Sequence, residues 1–198
     1  MLTETWLDEG QNPEDYQLPY YNANFNSSGR GKGIASYYNE KLIHKANVTE
    51  EGFSISVLET KDIDVIGVYR SQDGNTNFLI EKLEDIIDET KMTIIGGDLN
   101  VCVMSSPNNN ITKKMRSKGF TQLVNKATHI EGGLIDHVYV KTNVDCQYSW
   151  SIEDFPKYYS DHDSIGLTLW KLGQADQKKN KSNLKDLEMQ EDQDLESK

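Results

Sequence analysis

The sequence predicts an α/β fold built from mixed β-sheets flanked by helices, and two features carry this prediction. The first is a set of short segments rich in β-branched and aromatic residues, which favour strands. These segments cover residues 33–38, 53–58, 63–69, 92–95, 134–140 and 164–170. The second is their order, because several of them follow one another without an intervening helix. That order argues against a purely parallel, doubly wound sheet and favours two packed mixed sheets.

One amphipathic helix is predicted between the third and fourth strands, over residues 77–90. Its apolar side chains recur at helical spacing on one face, whereas acidic residues and a lysine occupy the other face. The Asp73-Gly74 pair marks the turn before this helix, and Asn77 is expected to cap its first turn. This pattern is typical of a surface helix.

Length and composition indicate one folded domain followed by a tail. The chain has 198 residues and a formal net charge of −11, and we expect a single domain over residues 1–172. Residues 173–198 hold few large apolar side chains. They therefore cannot offset the entropy of ordering and are predicted to form a disordered charged tail. A short amphipathic helix over residues 184–195 is the alternative.

Cysteine content and hydropathy predict an intracellular protein. Cys102 and Cys146 show neither metal-ligand spacing nor a disulfide framework, so a reducing compartment is the default. The sequence contains no apolar run of the roughly 20 residues that a membrane span needs, and it does not begin with a secretion signal. We therefore expect no membrane association and a location in the nucleus or the cytoplasm.

Three polar strings next to apolar, β-like runs carry the chemical information. Residues 93–100 bring Asp98 and Asn100 to the end of a predicted strand, and side chains at positions i and i+2 of an extended segment share a face. Asp136 and His162 belong to two further strings of this kind. Oxygen donors suit magnesium, calcium or manganese, because such an ion offsets the repulsion between neighbouring acids. The alternative is an ordinary turn, which glycine, aspartate and asparagine also form.

The order of these strings resembles the endonuclease/exonuclease/phosphatase superfamily of metal-dependent phosphoesterases over most of residues 1–172. Five elements of that family follow in its order: an early metal-binding Glu, a Tyr after a middle strand, a Gly-Asp-x-Asn string, an Asp before an aromatic-containing strand, and a terminal Ser-Asp-His. Here they correspond to Glu4, Tyr69, Gly97 to Asn100, Asp136, and Ser160 to His162. The resemblance implies a four-layer sandwich in which two packed mixed β-sheets are flanked by helices.

The resemblance also implies a role for each of these side chains. The metal ligands would be Glu4 and Asp161, with Mg²⁺ as the cation and Mn²⁺ as an alternative. Asp98 would orient or deprotonate the attacking water, and Asn100 would hold that water or a phosphate oxygen. His162, kept in one tautomer by Asp136, would donate a hydrogen bond to the oxygen on which charge develops, and Tyr69 would add another. Contacts with the substrate would come from Arg70, Thr128 and Ser160.

Finer details resemble one branch of the superfamily, the endonuclease domains of non-LTR retrotransposons. The strings at residues 4–7, 29–35, 69–70 and 134–137 carry this narrower resemblance. It implies an endonuclease, expected to be monomeric, that binds DNA and nicks it to leave a 3′-hydroxyl and a 5′-phosphate. A phosphoesterase acting on a small or lipid phosphate is the alternative activity.

One departure from the family concerns the N-terminus. The family places a strand with a metal-binding Asn, and then a helix, before the Glu, whereas this chain begins three residues before Glu4. We therefore expect an N-terminally truncated domain that lacks one metal ligand and leaves a neighbouring strand without its partner. A non-catalytic remnant is accordingly a third reading of the function.

The charge balance argues mildly against a nucleic-acid substrate, because proteins that grip a phosphate backbone usually present a basic surface. A local basic cluster could face such a backbone, or it could be the solvated face of a short helix that ends at Gly119. This cluster consists of Lys113, Lys114, Arg116 and Lys118.

Two further histidines lie in or next to the polar strings. His129 lies in a loop where the resembled branch contacts its substrate, so it is either such a contact or a turn cap. His137 directly follows Asp136 and would point to the opposite face of its strand. This position favours a structural role for His137.

Overall fold

The computed structural model describes residues 1–5, 11–26, 31–142, 148–157 and 159–172. Within them the strands are β1 (Leu2–Thr3), β2 (Asn22–Asn26), β3 (Ile34–Tyr38), β4 (Ile43–Glu50), β5 (Phe53–Glu59), β6 (Ile63–Arg70), β7 (Met92–Asp98), β8 (Thr121–Gln122), β9 (Asp136–Lys141), β10 (Tyr148–Phe155) and β11 (Ser164–Lys171). The helices are α1 (Thr76–Ile86), α2 (Asn110–Ser117) and a 3-10 helix at Pro13–Tyr16. The predicted tail at 173–198, Cys146 and part of the 29–35 string lie outside the described residues.

A mixed six-stranded sheet forms the centre of the fold. Its strand order is β4-β5-β6-β7-β9-β8. Strands β6 and β7 run parallel, whereas each of the other described neighbours in this sheet pairs antiparallel. The parallel pair needs a crossover connection, which α1 supplies. The mixed sheet predicted from the order of strands and helices is therefore confirmed.

Both α-helices pack on one face of this sheet. Leu79 and Leu83 of α1 and Ile111 and Met115 of α2 belong to one buried cluster with apolar side chains of β5, β6, β7 and β9. Helix α1 begins and ends earlier than the periodicity of its side chains predicts. The side-chain oxygen of Asn75 accepts hydrogen bonds from the backbone N–H groups of residues 77 and 78, so the prediction that Asn77 is the cap is wrong by two residues.

The basic cluster of α2 lies beside α1. The ammonium groups of Lys114 and Lys118 lie 3.0 and 2.8 Å from the same carboxylate oxygen of Glu84 on α1. The apolar side chains of α2 point the other way, into the core. Two of the four basic side chains therefore join the two helices, as expected for the solvated face of a packed helix rather than for a free phosphate-binding surface.

The opposite face of the central sheet carries the second layer, which is divided into two pieces. The first piece is a three-stranded antiparallel sheet in the order β1-β3-β2. The second is the β10-β11 hairpin, which packs Trp150, Ile152, Ile165 and Leu167 against the apolar cluster around Ile94 and Val138. Packed β-sheets with flanking helices are thus confirmed. Among the described strands only the larger sheet is mixed, and the helices α1 and α2 cover its outer face.

No helix among the described residues has the length and apolar character needed to cross a bilayer.

Candidate active site

Three of the predicted residues stand side by side at one edge of the central sheet. Tyr69 on β6 is the register partner of Asp98 on the parallel strand β7. Asp98 is in turn the register partner of Asp136 on the antiparallel strand β9. Two of these strands end, and the third begins, at this edge. The fold of the sheet therefore brings together side chains that are far apart in the sequence.

A glycine before Asp98 allows two strands to come close at this point. Gly97 has φ of +146°, a backbone conformation that residues with a side chain rarely adopt. A Cβ atom added there would meet the carbonyl oxygen of Val68 at 1.9 Å. The glycine is therefore required for β7 to pass β6 immediately before the catalytic candidate Asp98.

Asp98 is almost completely buried, with 1% of its surface exposed. Its Oδ1 accepts a hydrogen bond of 2.9 Å from the backbone N–H of Asn100, and its Oδ2 accepts one of 3.1 Å from the Asn100 side chain. Burial first, and then the charge of Asp136, raises the pKa of Asp98 to about 7. At neutral pH this carboxyl can therefore both take up and release a proton, as a general base must.

The contact between Asp98 and Asn100 arises from a different geometry than the sequence suggested. Asn100 is not part of an extended strand but has φ of +50°, in the left-handed region that asparagine tolerates. Its side-chain amide also donates a 2.8 Å hydrogen bond to the carbonyl oxygen of Arg70. A turn after β7, rather than two residues on one face of a strand, thus brings the pair together.

Asp136 and His162 form a second pair at the site. The Oδ2 of Asp136 lies 2.8 Å from Nδ1 of His162. This hydrogen bond, with the charge of Asp136, raises the pKa of His162 to about 9. The imidazole is then protonated at neutral pH, with its Nδ1–H directed at Asp136 and its Nε2–H available as a donor. Such a donor suits an oxygen that gains negative charge.

Glu4 reaches the same site from the second layer. It directly follows β1, whose residue Thr3 pairs with Ile34 of β3. The hydroxyl group of Tyr69 donates a 3.1 Å hydrogen bond to Oε1 of Glu4. Burial and the charge of Glu4 raise the pKa of Tyr69, so its hydroxyl stays protonated and remains a donor. The charge of Glu4 also contributes to the raised pKa of Asp98.

The residues predicted as substrate contacts hold the loops of the site. Arg70, only 7% exposed, donates hydrogen bonds to the carbonyl oxygens of Gly74, Leu99 and Gln72. Through these hydrogen bonds the guanidinium holds the turn that carries Asn100, and a contact between Arg70 and the substrate stays a prediction. Burial lowers the pKa of the Arg70 guanidinium.

Thr128 and Ser160 also stabilise loop structure. The hydroxyl of Thr128, which is 2% exposed, accepts hydrogen bonds from the backbone N–H groups of Ile135 and Asp136 at 3.3 and 3.1 Å. The hydroxyl of Ser160 accepts one of 3.1 Å from the N–H of His162. Thr128 thus positions Asp136, and Ser160 positions His162. Of these two residues, only Ser160 is exposed at the surface, where a substrate can reach it.

No group of three donors among the described residues contains both Asp161 and Glu4, the two metal ligands that the resemblance implies. The Asp161 side chain is 67% exposed, and its Oδ2 lies 3.5 Å from Nε2 of His129. Among the described residues, two groups of three have donor atoms within 4.8 Å of one another: Asp98, Asp136 and His162, and His129, Asp161 and His162. His162 is common to both. Glu4 belongs to neither group and contacts Tyr69 instead.

The buried oxygen donors fit a hard divalent cation. The negative charges of Asp136 and Glu4 both contribute to the raised pKa of Asp98, which shows that these carboxylates repel one another. A divalent cation would relieve this repulsion, and carboxylate oxygens are the ligands that Mg²⁺ and Mn²⁺ prefer. The chemistry of the donor set thus supports the predicted cofactor without identifying the ion.

Two histidines near the site differ in their roles. His137 is fully buried, with its ring nitrogens 3.1 Å from the Tyr139 hydroxyl and 2.8 Å from the Val101 carbonyl oxygen. Burial lowers its pKa to about 4, in agreement with the structural role predicted. The Nδ1 of His129 accepts a hydrogen bond from the N–H of Glu131, as a turn cap does. Its ring also packs on His162, a contact that no pattern in the sequence indicates.

Comparisons with known proteins agree with this arrangement. The model of the endonuclease/exonuclease/phosphatase family matches residues 1–162. The endonuclease domain of TRAS1, a telomere-specific non-LTR retrotransposon, is 14% identical with a TM-score of 0.57, and the match covers 78% of this chain and 80% of that domain. No curated protein matches the sequence.

Two further solved structures share the fold. The human Nocturnin catalytic domain with bound sulfate has 14% identity and a TM-score of 0.54, over 83% of this chain and 78% of that one. Truncated Caenorhabditis elegans TDP2 has 15% identity and a TM-score of 0.51, over 80% and 78% of the two chains. At such identities the similarity establishes the fold alone, and the chemistry depends on the residues of the site.

Proposed function

This chain belongs to the endonuclease/exonuclease/phosphatase family, and we propose that it is a divalent-metal-dependent phosphodiesterase that nicks DNA. The observation that carries this proposal is the convergence of three carboxylates, a tyrosine and a histidine at one end of the central sheet. Asp98 lies between Asp136, which is hydrogen-bonded to His162, and Tyr69 on the neighbouring strand, while Glu4 approaches from the second layer and accepts a hydrogen bond from Tyr69. A base, a cationic donor and a cluster of oxygen ligands are the groups that phosphodiester hydrolysis needs.

The side chains divide the work as follows. Asp98 accepts a proton from the attacking water, since its pKa of about 7 suits a base at neutral pH. Asn100 fixes the orientation of the Asp98 carboxylate through its two hydrogen bonds. His162 donates to a phosphate oxygen on which charge develops, and the Tyr69 hydroxyl would turn from Glu4 to such an oxygen once Glu4 ligates the cation. Glu4 would hold a divalent cation, which supplies Lewis-acid polarisation of the phosphate and screens the neighbouring carboxylates.

DNA is proposed as the substrate because the strings around Glu4, Tyr69 and Asp136 resemble those of retrotransposon endonuclease domains. A neighbour of the same fold, TDP2 of D. rerio, has been solved with a single-strand DNA product. The formal net charge of −11 favours a second candidate, a phosphoesterase for small or lipid phosphates, which needs no extended basic surface. A non-catalytic member of the fold is the third outcome that an experiment must separate.

A plasmid-nicking assay separates the three candidates. We expect the protein to convert supercoiled plasmid to nicked circles with Mg²⁺ and not with EDTA. A ligase should reseal these nicks, because hydrolysis of the bond between phosphorus and the 3′ oxygen leaves a 3′-hydroxyl and a 5′-phosphate. The matched control is Asp62→Asn, which changes an exposed acid away from the site and should leave nicking intact.

Two other results of this assay would change the conclusion. Hydrolysis of bis-p-nitrophenyl phosphate or of a phospholipid, with no action on plasmid, would replace DNA with a small or lipid phosphate. A folded sample that hydrolyses none of these substrates with Mg²⁺ or Mn²⁺ would identify a non-catalytic protein.

A further inference from the structure

The rim of the site carries a cluster of three metal-ligating side chains, and the proposed hydrolysis uses only one of them, His162. Its members are His129, Asp161 and His162, and one donor atom from each lies within 4.8 Å of the other two. The Nε2 of His129 lies 3.5 Å from Oδ2 of Asp161. The rings of His129 and His162 pack edge to face, with their centroids 4.9 Å apart. Two imidazoles and a carboxylate therefore point toward one small volume.

The backbone holds these donors in place before any ligand binds. His129 and His162 form an antiparallel bridge between two loops. The loops are further joined by hydrogen bonds of 2.8 Å from the N–H of Ile130 to the Asp161 carbonyl, and from the N–H of Asp163 to the Thr128 carbonyl. A preformed set of donors loses little conformational entropy when it takes up a ligand.

We propose that His129, Asp161 and His162 form a second metal site, which takes a transition-metal ion such as Zn²⁺ and blocks hydrolysis when it is filled. Two nitrogen ligands and one oxygen ligand are typical of zinc rather than magnesium, which prefers oxygen alone. Zinc bound tetrahedrally at about 2.0–2.1 Å would hold its ligands about 3.3 Å apart. The pair formed by His129 and Asp161 is already near that spacing.

His162 is oriented as a metal ligand by its other nitrogen. Its Nδ1 is engaged by Asp136 at 2.8 Å, so Nε2 is the ring nitrogen that remains to ligate an ion. A carboxylate that accepts a hydrogen bond from the second ring nitrogen is the usual support of a metal-binding histidine. An ion on Nε2 would displace the proton that His162 offers to the phosphate, so inhibition is the consequence. This consequence rests on the proposed function, whereas metal binding itself does not.

One hydrogen bond of His129 opposes zinc binding and would have to break. The Nδ1 of His129 accepts a 3.2 Å hydrogen bond from the N–H of Glu131, a bond that fixes the ring proton on Nε2. Coordination through Nε2 would move this proton to Nδ1 and break the bond. A single hydrogen bond at an exposed turn is weak compared with ligation by three donors. The site should therefore still fill.

Calorimetric titration of the metal-free protein with Zn²⁺ alone tests the proposal. We expect His129→Asn to weaken zinc binding at this site at least tenfold, because asparagine can still accept the Glu131 hydrogen bond but is a poor zinc ligand. Asp161→Asn should weaken it as well. The matched control is His44→Asn, since His44 is a histidine of β4 outside the site that bonds to Asn47. Circular dichroism checks that each variant is folded.

The consequence for hydrolysis is measured with Mg²⁺ present and increasing Zn²⁺, with each variant compared with its own zinc-free rate. His129→Asn should need at least tenfold more zinc for half-inhibition than the wild type and the His44→Asn control. Equal zinc affinity of the wild type and a folded His129→Asn variant would overturn the proposal. If no hydrolysis is found at all, the calorimetric comparison still decides whether the site exists.

Discussion

Replacing Asp98 with asparagine is expected to slow DNA cleavage by about 10²- to 10⁴-fold, the usual contribution of a positioned general base. The substitution keeps the size of the side chain and one hydrogen-bond acceptor for Asn100, but it removes the carboxylate that accepts the proton. The single-turnover rate of plasmid nicking at saturating Mg²⁺ measures the effect. Asp62→Asn again serves as the matched control.

The same variant should be more stable than the wild type when no metal is bound. The pKa of Asp98 is raised from 3.8 to about 7, so its ionisation opposes folding. The free energy of unfolding of the wild type therefore falls as the pH rises from about 4 to about 7, because the unfolded chain releases this proton first. Each pKa unit corresponds to about 1.4 kcal/mol. Denaturant unfolding at pH 8 in EDTA should show the gain.

Loss of activity together with a gain in stability is the signature of a residue kept for function. A variant that loses both would indicate that Asp98 serves the packing of the strand end. A variant that keeps the wild-type rate would exclude Asp98 as the base.

The second large effect concerns the alkaline limb of the pH profile. The active form requires Asp98 ionised and His162 protonated, so the rate of the wild type should rise near pH 7 and fall near pH 9. A bound cation would lower the pKa of Asp98 and so extend the active pH range toward lower pH. Asp136→Asn removes the hydrogen-bonded carboxylate that is the largest cause of the raised pKa of His162. The alkaline limb should then move toward the ordinary histidine value of 6.5.

The expected loss therefore depends on pH. At pH 8.5 the protonated fraction of His162 would fall by about 10²-fold in the variant, whereas near pH 6.5 it would fall only about twofold. The pH dependence of kcat and a histidine NMR titration would both report the shift. A loss of rate of the same size at every pH, with the alkaline limb at its wild-type position, would contradict the pairing of Asp136 with His162.

Four of the six strands of the central sheet, β5, β6, β7 and β9, could be predicted from the sequence, although β7 ends three residues later than expected and β4 and β8 were not predicted. Asp98 and Asp136 adjoin runs of β-branched residues, which favour strands regardless of distant contacts. The Gly-Asp-x-Asn string therefore pointed to the strand end at which the candidate site lies. Asn75, rather than Asn77, caps α1, because the start of a helix depends on which side chain can reach the first free N–H groups.

Contacts between loops could not be predicted in this way. The hydrogen bonds of Arg70 to three carbonyl oxygens were not foreseen, because these oxygens belong to turns whose paths depend on the folded chain. Asp161 was expected beside Glu4, yet the bridge between His129 and His162 directs it to the rim. The division of the second layer into two pieces also has no local signal, since strand partners are chosen at long range.

The central claim is that Glu4, Asp98 and His162 surround one cation and one phosphate. A crystal structure with Mn²⁺ and a non-hydrolysable phosphodiester, with anomalous data collected for manganese, tests it most directly. We expect an anomalous peak within about 2.5 Å of a Glu4 carboxylate oxygen, with the phosphorus atom between that peak and the imidazole of His162. A manganese peak elsewhere on the protein, with the phosphate away from Asp98 and His162, would contradict the claim.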